Sequence, residues 1–173
     1  MRDIIKDRAV VSDDWQVLHL AEGEMPESVL VPTGKTLVPL TVWSAQRDAL
    51  TERGNVGVWI GSSERAEVLQ DDVAHLPLIA VDFPKFSDGR GYSIAYNLRT
   101  RLGYAGELRA IGDVLRDQLF YMQRVGFNAF AVRADRDVHD ALKGLSDFTE
   151  PYQNSVDRKA PLFRRVARDG VTT

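Results

Sequence analysis

Short, mainly apolar runs that each end in a polar turn recur along the middle of the chain. Three of them occupy residues 78–81, 108–111 and 129–132. Apolar runs of four to eight residues between turn signals are typical of strands that are covered on both faces. A segment with helical spacing of its apolar residues follows each run. The pattern therefore predicts a series of strand, polar turn and helix units.

The same reading divides the chain into three parts. Residues 1–40 form an N-terminal arm with short strands, 41–146 an α/β domain and 147–173 an extended tail. Within the α/β domain, the sequence predicts a strand at 55–60 and a helix restarting at 61–64. Further helices are expected at 41–53, 92–102, 115–125 and 137–145.

These units predict an α/β fold with about five mostly parallel strands and helices on both faces of the sheet. A flavodoxin-like or Rossmann-like three-layer sandwich is the first expectation. A half (β/α) barrel is the alternative, since strand starts near 56, 78, 108 and 129 also have the spacing of a barrel fragment. Such a fragment would need pairing to close, which makes a homodimer one expected arrangement.

The carboxyl ends of parallel strands meet at one edge of a sheet, which is the usual place for a ligand. The charged residues expected there are Asp82, Lys85, Asp88, Arg90, Asp113, Arg116 and Arg133. Lys85 and Arg90 are suited to clamp an anionic group. The alternative is a structural ion pair of Arg90 with Asp88 or Asp113. Asp113 is the candidate general base, with helix capping or a salt bridge as its alternative role.

The amino-acid composition argues against several classes of function. The 22 basic and 25 acidic residues are interspersed and give a net charge of −3, which does not favour nucleic acid or anionic membranes. The absence of cysteine excludes disulfides, thiol redox chemistry and thiolate-bound clusters. His19, His75 and His139 lack the spacing of a metal site. Without a membrane-spanning run or a secretory signal, the sequence predicts a cytoplasmic protein.

From 146 onward the periodic pattern stops. Isolated apolar anchors alternate with Pro, Asn, Asp and Arg, which indicates an extended segment. Tyr152, Phe163 and Arg164 are the residues expected to dock this tail. Two surfaces compete as its target, a partner protein and the chain's own domain.

Two long motifs carry a resemblance. DFPKFSDGRGYS begins at Asp82, and LRxRLGYAGELRAIGDVLRDQLFYMQRVGF follows from Leu98. Together they resemble the bacterial family catalogued as domain of unknown function 934, over residues 35–165. Members of that family are typically encoded beside assimilatory sulfite reductase and phosphoadenylyl sulfate reductase, and are often labelled oxidoreductases of sulfite reduction. The resemblance therefore implies sulfur assimilation as the pathway, and one of these two reductases as the partner.

Two functions remain open. The first is an accessory protein of sulfite reduction without chemistry of its own, which the lack of cysteine, metal motif and nucleophile favours. The second is an enzyme or oxidoreductase subunit that binds an anionic ligand or a flavin at Lys85, Arg90, Arg116 and Arg133. No motif identifies a cofactor.

Overall fold

A computed structural model describes residues 2–165, so the last eight residues of the predicted tail, 166–173, lie outside the described residues. The strands are β1 (Arg2–Lys6), β2 (Ala9–Asp13), β3 (Gln16–Val17), β4 (Thr36–Pro39), β5 (Val56–Ile60), β6 (Leu78–Phe83), β7 (Glu107–Gly112) and β8 (Ala129–Phe130). The helices are α1 (Leu40–Thr51), α2 (Arg90–Thr100), α3 (Arg116–Val125), α4 (Val138–Lys143) and α5 (Leu162–Arg165). Short 3₁₀ helices cover Ala66–Leu69 and Gly144–Ser146. Within 2–165, none of the helices combines the length and apolar character that a membrane crossing needs.

Most of the predicted helices and strands are present, with shifted ends. The helix predicted at 41–53 is α1, and the helices predicted at 92–102 and 115–125 are α2 and α3. The helix predicted to restart at 61–64 is wrong, because Glu64 accepts a hydrogen bond from the backbone N–H of Gly61 and closes a turn there. Regular structure resumes only with the 3₁₀ helix at Ala66–Leu69.

The eight described strands form one mixed sheet in the order β2-β1-β8-β7-β6-β5-β4-β3. Strands β3 to β8 run parallel to one another, whereas β1 is antiparallel to both β8 and β2. The α/β class is confirmed, but the five-stranded flavodoxin-like or Rossmann-like sandwich is wrong. A doubly wound sheet reverses its direction of growth partway, while here β4 to β8 are neighbours in chain order. The fold is the half-barrel.

The curl of the sheet follows from its two edge strands. β2 ends at Asp13 and β3 begins at Gln16, although they lie at opposite edges. A flat sheet with seven inter-strand gaps would be about 34 Å wide. Three Cα–Cα steps span at most about 11 Å. The sheet must therefore curl until its edges approach each other, and the N-terminal arm connects the two edges. A homodimer stays a prediction.

Alternation along each strand separates two cores. In β6, Ile79 and Val81 pack with the helices in the larger core, whereas Leu78 and Ala80 face the concave side of the sheet. The concave cluster consists of Leu37, Leu78, Ala80 and Ile111, with Trp15, Trp59 and Ala131 packed against it. Trp15 belongs to the short link between the two edge strands. The link therefore covers the interior as well as closing the curl.

A buried ion network crosses the concave interior. The Arg109 side chain is 3% exposed and lies 3.0 Å from Asp13 and 2.6 Å from Glu107. Lys6 also pairs with Glu107, at 2.7 Å. Asp13 and Lys6 belong to the N-terminal hairpin and Arg109 and Glu107 to β7. The network therefore holds the hairpin against the parallel part of the sheet.

Candidate functional site

A cavity of about 730 Å³ opens on the concave side of the sheet, and we call it the mouth cavity. Its lining includes Arg2 from β1, Trp15 and His19 from the N-terminal arm, and Asp82, Ile111 and Gly112 from β6 and β7. Asp82 and Gly112 lie at the carboxyl ends of their strands. The cavity thus occupies the end of the parallel strands where (β/α) barrels bind their ligands.

The strand period places the Asp82 carboxyl in this cavity. Asp82 is two residues beyond Ala80 in β6, so its side chain has the same concave orientation as Leu78 and Ala80. Gly112 pairs with Phe83 in the neighbouring strand. A Cβ atom at Gly112 would lie 2.5 Å from Oδ1 of Asp82. The absence of a side chain at Gly112 therefore leaves room for the carboxyl.

The Asp82 carboxyl lacks the partners that other acids of the region have. Among residues 2–165, no group donates a hydrogen bond to it or forms an ion pair with it. Partial burial raises the pKa of Asp82, and the nearby His19 partly opposes that rise. His19 in turn packs against Trp59, with ring centroids 5.5 Å apart. Trp59 is anchored by its indole Nε1, which donates to the Leu18 carbonyl oxygen at 2.9 Å.

Substitution of Asp82 with asparagine is expected to stabilise the fold. A carboxyl whose pKa is raised by folding destabilises the native state at every pH above that pKa. The asparagine side chain would carry no charge into the partly buried position. We expect the melting temperature of Asp82→Asn at neutral pH to exceed that of the wild type by a few degrees at most, because the carboxyl is only partly buried. Thermal unfolding followed by circular dichroism measures it.

The pH dependence of the stability difference between Asp82→Asn and the wild type provides the control. The native state binds more protons than the unfolded state between the unfolded pKa, near 3.8, and the raised folded pKa. The advantage of Asp82→Asn should therefore be largest above the raised pKa and shrink as the pH is lowered towards 3.8. An advantage that is unchanged at low pH, or a less stable variant, would show that the carboxyl has a stabilising partner.

Asp88 and Arg90, both predicted site residues, pair with each other. Arg90 donates through Nε and Nη2 to Asp88, at 2.9 and 2.7 Å, and Ser62 Oγ donates to Asp88 Oδ2 at 2.7 Å. The Arg90 guanidinium and the Ser62 hydroxyl hold the pKa of Asp88 well below its usual range. Of the alternatives left by the sequence, Arg90 forms the ion pair with Asp88. The cluster ties the start of α2 to the turn after β5.

Asp113 and Arg133 form a second cluster outside the mouth cavity. Arg133 Nη1 lies 2.8 Å from Asp113, and its Nε lies 2.6 Å from Asp135. The backbone N–H of Phe86 donates to Asp113 Oδ2 at 2.9 Å. Hydrogen bonds to Asp135 and Asp113 raise the pKa of Arg133. Asp113, the predicted general base, thus has the salt-bridge geometry of its alternative role.

The remaining predicted site residues are separate from these clusters. Arg116 pairs with Asp140 at 3.1 Å and with Asp147 at 3.4 Å, on the surface of α3 and α4. Lys85 is exposed in the turn after β6. Of the seven charged residues predicted to gather at the strand ends, only Asp82 lines the mouth cavity. The other six residues lie outside the cavity, and all of them except Lys85 form ion pairs within residues 2–165.

The described part of the tail packs on α3 and leaves its aromatic side chains exposed. The Val156 N–H donates to the Arg124 carbonyl oxygen at 3.1 Å, and the rings of Phe120 and Phe148 lie 5.0 Å apart. Tyr152 and Phe163 are nevertheless 65% and 53% exposed. Their ring centroids are 6.5 Å apart, so they form one exposed aromatic pair beside Arg164.

Sequence reasoning missed the contribution of the N-terminal arm. Arg2, Trp15 and His19 line the mouth cavity but lie more than sixty residues before Asp82 in the chain. No local motif marks them. The one available signal was that an arm of short strands carries a tryptophan, Trp15, together with basic side chains. No group of acidic and histidine residues in the range 2–165 has the arrangement of a metal site.

Comparison with known proteins identifies one family. A family model described as "Bacterial protein of unknown function (DUF934)" matches residues 57–163. Comparison with curated proteins gives no match. The matched range contains Asp82, Ile111 and Gly112, whereas the arm residues of the mouth cavity precede it.

Proposed function

The protein belongs to the DUF934 family, and we propose that it binds a small molecule in the mouth cavity and exchanges a proton with it through Asp82. The observation that carries this proposal is the state of Asp82, a partly buried carboxyl with a raised pKa and no partner in residues 2–165. Natural folds retain such a destabilising group where it serves a ligand or a reaction.

The position of Asp82 supports the proposal. Barrel-type folds place ligand-binding and catalytic groups at the carboxyl ends of their parallel strands. The other carboxylates in this part of the molecule are neutralised: Asp13 by Arg109, Asp88 by Arg90 and Asp113 by Arg133. A neutralised carboxylate is a poor proton acceptor because its cation stabilises the charged form. Asp82 is the acid best suited to take a proton from a ligand or to give one.

His19 complements Asp82 in this role. It lines the same cavity, and it partly opposes the rise that burial causes in the pKa of Asp82. An imidazole and a carboxyl that line one cavity can act on the same ligand. The pair provides an acid and a base for one ligand, without a metal or a thiol.

Ligand-observed NMR on the full chain tests the proposal. A library of small organic acids, amines, alcohols and sulfur oxyanions would be screened against the wild type, Asp82→Asn and Asp88→Asn. Asp88→Asn is the matched control, because it removes a paired carboxylate outside the cavity. We expect binding that Asp82→Asn weakens and Asp88→Asn preserves. In D₂O, the wild type should also exchange an acidic C–H of a bound ligand faster than Asp82→Asn does.

Two results would contradict the proposed binding of a ligand through Asp82. Ligands that bind equally well to the wild type and to Asp82→Asn would place the binding group elsewhere. A library without any Asp82-dependent ligand would exclude the mouth cavity as a site for these compound classes.

A second candidate function is that of an accessory protein in assimilatory sulfite reduction, which the family resemblance implies. The exposed pair of Tyr152 and Phe163 beside Arg164 favours it, since aromatic and arginine side chains dominate the energetics of protein interfaces. The partner proposed for this surface is sulfite reductase, with phosphoadenylyl sulfate reductase as the alternative.

A pull-down with purified sulfite reductase tests the second candidate. The full chain would be compared with a variant in which Tyr152, Phe163 and Arg164 are all alanine, and with Tyr96→Ala. Tyr96 is an exposed aromatic residue of α2 and serves as the control. Retention of the wild type and Tyr96→Ala, with loss of the triple variant, is the expected result. If the reductase retained all three proteins equally, or none of them, the tail would be excluded as the docking surface.

A further inference from the structure

The charged residues of the mouth cavity fall into two groups. Of the charged side chains that line it within residues 2–165, three are neutralised: Asp13 and Arg109 by each other, and Asp14 by Lys35 at 2.8 Å. The other three, Arg2, His19 and Asp82, form no ion pair with any residue of that range. The cavity therefore presents cationic and anionic groups that the fold itself leaves available.

Arg2 and Asp82 are separated by the architecture of the sheet. Arg2 lies in β1 and Asp82 in β6, with β8 and β7 between them. Three inter-strand gaps amount to about 14 Å along the sheet. The curl shortens the direct path across the cavity, but the two strands are never adjacent. The two groups therefore belong to strands that two other strands separate, and both line the same cavity.

Each of the two groups retains hydrogen-bonding capacity. Arg2 donates through Nη2 to the carbonyl oxygen of Val132, which orients the guanidinium and uses one of its five N–H donors. The remaining donors suit a planar anionic group such as a carboxylate, or a sulfonate. Asp82 offers two oxygens without a donor from residues 2–165.

Several apolar side chains share the lining of the cavity with these groups. Trp15, Ile111 and Ala131 line the cavity together with Gly112, which contributes no side chain. A ligand that reaches from Arg2 to Asp82 would lie against this surface. Its middle part would meet these apolar side chains, and Gln16 adds a polar side chain to the same lining.

We infer that the ligand of the mouth cavity is a short zwitterion, with an anionic group bound by Arg2 and an ammonium group bound by Asp82 across a small apolar body. This inference rests on the proposed function, because it names the ligand class of the same cavity. Transfer of a proton from the ammonium group to Asp82 would leave a neutral amine and a neutral carboxylic acid, so the step is balanced. His19 lines the same cavity.

Titration of chemically simple probes tests the inference. The probes are propionate, propylammonium and a series of zwitterions of increasing length, namely glycine, β-alanine, γ-aminobutyrate and ε-aminocaproate. Binding to the full chain would be followed through the indole ¹⁵N–H signal of Trp15. One length in the zwitterion series should bind at least about 10-fold more tightly than propionate or propylammonium, because two charge-assisted contacts form at once.

Substitutions of Arg2 and Asp82 test which residue binds each charged end of the zwitterion. Arg2→Ala and Asp82→Asn should each weaken the best zwitterion by about 10- to 100-fold. Arg90→Ala is the matched control, because Arg90 is an exposed arginine that is engaged by Asp88 outside the cavity. It should leave the affinity unchanged. Circular dichroism of every variant would verify that the fold is retained.

The possible failures are distinguishable. Propylammonium or an alcohol that binds through Asp82 as tightly as any zwitterion, with no effect of Arg2→Ala, would overturn the zwitterion inference and leave the proposed function intact. Absence of Asp82-dependent binding by these probes and by the whole library would overturn both.

Discussion

Replacement of Arg109 with alanine is expected to lower the free energy of unfolding by about 3–5 kcal/mol, the cost of breaking a buried ion pair by removing one partner. The Arg109, Asp13 and Glu107 side chains are 3%, 13% and 8% exposed. Without the guanidinium, Asp13 would lose both of its 3.0 Å hydrogen bonds from Nη1. Glu107 would retain Lys6 alone. The loss should also release the link that carries Trp15 over the interior.

Urea unfolding monitored by circular dichroism gives the measurement. The control is Arg101→Ala, an exposed residue at the end of α2, for which a change within about 0.5 kcal/mol is expected. Trp15 fluorescence, isolated in a variant without the other tryptophans, should report a more solvated indole in Arg109→Ala. A loss below about 1 kcal/mol would mean that the network contributes little to the closure of the half-barrel.

The second large effect is expected for Gly112→Ala. Gly112 has φ +90°, a conformation that costs an L-residue about 1–2 kcal/mol. The added Cβ would also collide with the carbonyl oxygen of Phe83 and lie 2.5 Å from Oδ1 of Asp82. Because the Phe83 oxygen is backbone in a central strand, it cannot move aside cheaply. Together the two terms predict a destabilisation of about 2–4 kcal/mol.

Gly103→Ala separates the two contributions. Gly103 has φ +67°, but a Cβ there would meet nothing within 4 Å. Its substitution should therefore cost only the backbone term, about 1–2 kcal/mol. The difference between the two variants measures the collision beside Asp82. If both variants lost the same free energy, the space around the Asp82 carboxyl would not depend on Gly112.

Gly112→Ala also bears on the proposed site. The new methyl group would push against the carboxyl on which the proposed ligand depends, so ligand affinity should fall along with stability. Gly103→Ala should lose stability and keep its affinity. This contrast distinguishes a local effect on the mouth cavity from a general loss of fold.

The local elements were largely predictable because their signals are local. The apolar runs at 78–81 and 108–111 became β6 and β7, and the helical spacing at 115–125 became α3. Periodicity and glycine punctuation act over a few residues and survive folding. The helix predicted at 61–64 is wrong because Glu64 accepts a hydrogen bond from the Gly61 N–H and closes a turn. The serines at 62 and 63 suit a helix start and a turn equally well, so they do not distinguish the two.

The candidate site was predictable only at Asp82. Its place at the end of an apolar run marked it as a charged strand-end residue, and the same signal marked Asp113, Arg116 and Arg133. Whether such a group points into the interior or outward depends on the strand period and on the direction in which the sheet curls. Asp82 shares its face with Leu78 and Ala80, whereas Asp113 follows the end of β7 and turns to Arg133.

The sequence by itself determined the α/β class, the order of the main strands and helices, and the family, since these depend on local patterns and contiguous motifs. Only the tertiary structure decided that the sheet curls and that the arm completes the cavity. The physical reason is that both depend on contacts between residues far apart in the chain. Asp13 meets Arg109 across 96 positions, and Arg2 meets Val132 across 130. No short pattern encodes such pairs, because each is stabilised only once the rest of the sheet has brought it together.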